Sequence, residues 1–137
     1  MNIKELFELF GAAHLGDFSD FMDISRAYST TFYVMLLLPL LVTVVYYILL
    51  DHILLARTRK WLIIGVVTSA VAALADMAIA HLKLSDYVFT SNIMNANIDS
   101  GDYLSFGFIV FAYSALLYFI FSMILKSFSS RSRHIPF

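Results

Sequence analysis

Cysteine is absent from the 137 residues. Its absence removes disulfide frameworks, thiolate zinc sites and thiol redox chemistry together. Charge is scarce as well. Only 14% of residues are Asp, Glu, Lys or Arg, where a soluble domain carries about 25%. That is too little charge to cover a water-facing surface. The net charge of −1 supplies no basic field for nucleic acid. No internal repeat or low-complexity tract is present. What fills the chain is apolar: 61% hydrophobic residues, a mean hydropathy of +0.82, six Met, and an aromatic set of 13 Phe, 8 Tyr and 1 Trp. The solvent for most of this chain is expected to be lipid.

A helix crosses the hydrocarbon core of a bilayer in about 20 mainly apolar residues. Three stretches qualify: "FYVMLLLPLLVTVVYYILL" (32–50), "WLIIGVVTSAVAALADMAIAHL" (61–82) and "YLSFGFIVFAYSALLYFIFSMIL" (103–125). Buried helices of a soluble bundle would show polar faces, and these show almost none. Lipid cannot satisfy backbone polar groups, so helices are the natural form. Pro39 lies within the first span, where a membrane helix tolerates it. The expected fold is an all-α integral membrane protein. Residues 1–31 form an amphipathic, interfacial amino-terminal segment, 32–125 a three-helix transmembrane domain, and 126–137 a basic cytoplasmic tail.

Flanking charges set the threading. Residues 1–31 hold Lys4 and Arg26 against Glu5, Glu8, Asp17, Asp20 and Asp23. The first connection holds Arg57, Arg59 and Lys60 against Asp51, and the second holds Lys83 against Asp86, Asp99 and Asp102. The tail carries Lys126, Arg131 and Arg133. Lys and Arg concentrate on the cytoplasmic side, so the amino terminus is expected outside and the carboxyl terminus inside, in a bacterial inner membrane. No basic region directly precedes a short apolar run, so residues 1–31 are expected to be retained rather than cleaved. In layout alone, three spans with an external amino end and a basic cytoplasmic tail resemble the lambda-type phage holins, which implies a pore-forming alternative.

In "MNIKELFELF" the residues Ile3, Leu6, Phe7 and Phe10 share one helical face, with Lys4, Glu5 and Glu8 off it. Phe18, Phe21 and Met22 repeat the pattern opposite Asp17, Asp20 and Asp23. Interfacial helices that seek anionic lipid are basic, and this one is acidic. Ile3, Leu6, Phe7 and Phe10 are therefore candidates for docking a partner, the alternative being a cap over the ends of the chain's own spans.

The second span carries a single carboxylate, Asp76. Gly65, Ser69, Ala72, Asp76, Ala80 and Lys83 recur at intervals of three or four, and Gly107, Phe111, Ser114, Tyr118 and Ser122 do the same in the third span. Small residues let membrane helices approach closely, so these two faces are expected to pack or to line a pore. An unpaired carboxylate at that depth costs about 2.5–3.5 kcal/mol. It therefore calls for hydroxyls, a water-filled cavity or the Lys83 ammonium, and it reads either as an ion or proton group or as a linchpin of packing.

Other constellations fail. His14, His52, His81 and His134 divide between the two sides of the membrane, so histidine alone makes no three-ligand zinc site. "NANIDSGD" spaces Asn95, Asn97 and Asp99 like a calcium loop, but Gly101 falls one position late and the twelfth position is Phe106. Asp102 is expected to cap the third span. Aromatics near the span ends (Phe32, Tyr33, Tyr46, Tyr47, Trp61, Tyr103, Phe128) read as interfacial belts. No phosphate loop, dinucleotide fingerprint or nucleophile elbow occurs, so neither an enzyme nor a cofactor is expected. The expected partners are the bilayer, copies of this chain and other membrane proteins. Three functions fit: an anchoring or accessory subunit of an envelope assembly for secretion, injection or transport, a homo-oligomeric pore with Asp76 on its face, and an immunity protein against a pore-forming toxin.

Overall fold

The computed structural model describes residues 5, 7, 16–48, 58–91 and 99–128. Within them the chain is all-α: a short helix α1 (Asp17–Ile24) precedes three long ones, α2 (Ala27–Ile48), α3 (Thr58–Ser91) and α4 (Ser100–Phe128). Three stretches, 27–47, 59–89 and 100–126, are long and apolar enough to cross a membrane. The chain is a multi-pass membrane protein.

The long helices pack on one another as a three-helix bundle. A ladder of contacts sets the antiparallel register of α3 and α4. Trp61 meets Ser122, Gly65 meets Tyr118, Met77 meets Gly107 and His81 meets Tyr103. The surface inverts that of a soluble protein, because in lipid the outward faces need no polar cover. Leu74 and Phe108, in mid-span, are 66% and 67% exposed. Thr31, Thr43, Thr68 and Ser69 point inward, and each returns its hydroxyl to a carbonyl of its own helix. Pro39 does not interrupt α2, and its carbonyl accepts the Thr43 hydroxyl.

The helices exceed the apolar stretches that define them. Helix α2 begins at Ala27, five residues ahead of the expected span, and α3 continues nine residues past Leu82 to Ser91. At about 1.5 Å per residue, the 31 residues of 59–89 reach about 46 Å, against a hydrocarbon core of about 30 Å. The excess is the stretch after Leu82. There Leu84 is buried and Tyr87 meets Phe21 of α1, while Lys83 and Asp86 are exposed. Hydropathy ends at Leu82, but helical packing does not.

Helix α1 lies across the end of the bundle where α3 finishes and α4 begins. Phe18 stacks edge-on to Tyr103 at 5.1 Å, and the Tyr28 hydroxyl donates to Ser19 Oγ at 3.0 Å. Its Phe18 and Met22 are buried while Asp17, Asp20 and Asp23 are exposed, so its amphipathic pattern serves to cap the bundle. Gly16 enters the helix at φ +48°, and Arg26 (φ +55°) makes the sharp turn into α2.

At the start of α4 the cap shifts from the expected residue. Asp99 precedes the helix, and its Oδ1 accepts the Ser100 N–H at 2.7 Å. Asp102 sits three residues on and accepts the Asp99 N–H at 3.0 Å. Asp102 thus lies in the first turn of α4 and accepts from the residue that precedes the helix, rather than being the cap itself.

Candidate intramembrane site at Asp76

Nine residues anticipated as a packing or pore face, Gly65, Ser69, Ala72, Asp76, Ala80, Gly107, Ser114, Tyr118 and Ser122, are all buried within the bundle. They lie between helices of a single chain. Close approach explains the glycines. A Cβ on Gly65 would come within 2.6 Å of Tyr118 Cε1, and a Cβ on Gly107 would collide with Met77 Sδ. The face reaches one turn beyond the pattern read from sequence, to Trp61. Its indole N–H donates to Ser122 Oγ at 3.1 Å, and its carbonyl accepts the Tyr118 hydroxyl at 3.2 Å.

Asp76 lies within this packing at 0% exposure. Ala73 and Ala80, its neighbours one turn away on either side, belong to the central apolar cluster with Tyr28, Met35, Phe106 and Val110. Neither carboxyl oxygen has a hydrogen-bond partner, and the same holds for Ser114 Oγ. Lys83 is exposed and does not reach Asp76. Native proteins satisfy the large majority of buried polar atoms, so this carboxyl stands out chemically: an acceptor for two or more donors that meets none.

Between α3 and α4, on the side facing lipid, runs a wholly apolar groove of about 340 Å³. Ala70, Ala73, Met77, Gly107, Phe108 and Phe111 line it. Ala73 and Met77 belong to this lining, and Asp76, although adjacent to Met77 in sequence, does not. No sequence signal marks this groove, because it arises from the register of two helices.

The amino-terminal candidates divide. Phe7 is fully buried in its own chain, stacked on Tyr28 at 5.1 Å and flanked by Phe106 and Tyr113 at 5.6 and 6.1 Å. Ile3, Leu6 and Phe10 lie outside the described residues. Several belt aromatics turn inward. Tyr46 and Tyr47 are buried against Trp61, Ile64 and Leu125, whereas Tyr33 is exposed. Of the basic residues that set the expected threading, Arg59 and Lys60 are exposed and Lys126 is half-buried, all at the end opposite α1. Arg57, Arg131 and Arg133 are outside the described residues, as are His14, His52, His134, Asn95 and Asn97. Among the described residues no three His, Asp or Glu gather as a metal site. No protein family, curated protein or solved structure matches this chain.

Proposed function

We propose that this chain is a small, non-enzymatic membrane subunit that anchors or assists a larger envelope assembly. We place it in a bacterial inner membrane with its amino terminus outside and its carboxyl terminus cytoplasmic. One observation carries the choice over a homo-oligomeric pore. The polar side chains in the middle of the spans are directed into the bundle, and the exposed mid-span residues are Leu, Ile, Val, Ala, Phe and Met. A pore built from copies of such a unit has no polar face to line it, and Asp76 is already covered within one chain. Exposed Arg59 and Lys60 at one end, opposite exposed Asp17, Asp20 and Asp23 at the other, support the threading.

The test is expression of the tagged chain in a bacterium, with membrane potential followed and the detergent-extracted protein weighed by native mass spectrometry. An intact potential and a defined heteromeric complex are expected. Collapse of the potential would establish the pore instead, and protection against one pore-forming toxin would establish the immunity protein. Because the chain has no Cys, Asp20→Cys and Lys60→Cys report the threading directly. An impermeant maleimide should label the first from outside and the second only after the membrane is opened.

A further inference from the structure

The groove between α3 and α4 lies within one half of the bilayer. Lys60 and Lys83 bound the apolar run of α3, and Asp102 and Lys126 bound that of α4, so these charges mark the two edges of the hydrocarbon. The groove is lined from 70 to 77 on α3 and from 104 to 111 on α4, which places it in the half next to α1. We infer that it seats the acyl chain of one retained phospholipid of that leaflet, whose headgroup lies at His81 and carries an ammonium, as in phosphatidylethanolamine. The site needs only the bundle and the bilayer, so it stands whichever of the functions above the chain performs.

The shape and length of the groove suit such a chain. Its lining is wholly apolar, so it takes a hydrocarbon tail and not a headgroup. Ala70, Ala73 and Gly107 keep it low between Leu74 and Phe108, which are 66% and 67% exposed. A tail lying there makes contacts that a convex helix surface does not offer, and many weak contacts together slow its exchange. Ala70, Leu74, Met77 and His81 follow at intervals of four, three and four, so they share one face of α3. His81 is exposed one turn beyond the groove, and its ring lies 5.5 Å from that of Tyr103. From Ala70 to His81 the helix rises about 16 Å, and one leaflet of the hydrocarbon core is about 15 Å deep. A tail in the groove therefore brings its polar end to the imidazole, whose nitrogens offer hydrogen bonds to a phosphate ester.

Charge selects the headgroup. On the α1 side of the hydrocarbon, Asp17, Asp20, Asp23, Asp86, Asp99 and Asp102 stand against Arg26 and Lys83. That excess of acid repels a headgroup of net negative charge and favours one whose phosphate is balanced by an ammonium.

The test reconstitutes full-length protein in vesicles of equal parts phosphatidylethanolamine and phosphatidylglycerol, extracts it in mild detergent and weighs it by native mass spectrometry. One phospholipid per chain should be retained. Phosphatidylethanolamine should lead about fivefold, the ratio that about 1 kcal/mol for one headgroup charge produces. Ala70→Phe, which fills the groove, should release the lipid. His81→Ala, at an exposed position, should lower retention severalfold. Emission from Trp61, the only Trp, verifies that both variants are folded. Chains without lipid, a lipid that survives Ala70→Phe, or a dimer of this chain in place of the lipid would each overturn the proposal. Equal retention of the two lipids, a lead for phosphatidylglycerol, or unchanged retention in His81→Ala would overturn it as well.

Discussion

The indole N–H of Trp61 donates to Ser122 Oγ at 3.1 Å, joining the first turns of α3 to the last turns of α4. The bond is local, but it lies on the same face as Gly65 and Tyr118, so it holds the register for the whole inter-helix seam. Side-chain hydrogen bonds between membrane helices average about 0.6 kcal/mol, and a partly buried indole loses a little more when left unpaired. Trp61→Phe and Ser122→Ala should each lower stability by about 1 kcal/mol in titrations with SDS. The double variant should cost no more than the worse single one apart from lost packing, because both delete one bond. Fully additive losses would show that the bond carries no energy.

Gly65 and Gly101 are both helical but should respond oppositely to alanine. At Gly65 the added methyl carbon would sit 2.6 and 2.7 Å from two ring atoms of Tyr118. The hydroxyl of that ring is tied to the Trp61 carbonyl, so the ring cannot swing clear cheaply. Gly65→Ala should therefore destabilise by roughly 1–3 kcal/mol. At Gly101 the nearest atom is Asp99 Oδ2 at 3.6 Å, an ordinary contact. Gly101→Ala should be neutral or stabilising by up to about 1 kcal/mol. Thermal unfolding in one detergent compares the pair directly.

The spans and the small-residue face could be read in advance for a simple reason. Lipid forces both the apolar run and the helix, and period alone then places Gly65, Ser69, Ala72, Asp76 and Ala80 on one side. What the sequence hid depends on contacts between distant segments. Trp61 lies four residues before Gly65, so the same spacing reaches it, yet a Trp at a span end reads first as an interfacial anchor. Tyr46 and Tyr47 look identical to belt residues until α3 and α4 supply the partners that bury them. Hydropathy could not see the extension of α3 to Ser91, because the burial of Leu84 and the contact of Tyr87 with Phe21 come from the bundle and its α1 cap. The groove has no linear signature at all.

Phe7 offers a test of how firmly the amino-terminal segment is held. Its ring is enclosed by three others on two different helices, although the residue lies ten positions ahead of the first residue of α1, Asp17. Removing a buried Phe ring costs about 3–5 kcal/mol in a well-packed core, and lipid filling the gap would bring Phe7→Ala to the low end. The variant should lose about 3 kcal/mol, and limited proteolysis should cut ahead of Asp17 sooner than in the parent. Unchanged cleavage would show that the ring does not secure the segment.

Asp76→Ala should make the isolated protein more stable. Two opposing effects set the sign. The substitution deletes two buried oxygens that no donor meets, removing a cost of about 1–3 kcal/mol. It also opens a void, and at about 24 cal/mol per Å³ a few tens of Å³ cost under ~1 kcal/mol. The net gain should be about 1–2 kcal/mol in SDS titrations. Ser114→Ala, which deletes one unpartnered hydroxyl, should give a smaller gain. Ser69→Ala should leave stability nearly unchanged, since its hydroxyl only returns to the Gly65 carbonyl of its own helix at 2.8 Å. If Asp76→Ala instead weakens the isolated protein, the packing lost with the side chain outweighs the relief of its two unpartnered oxygens.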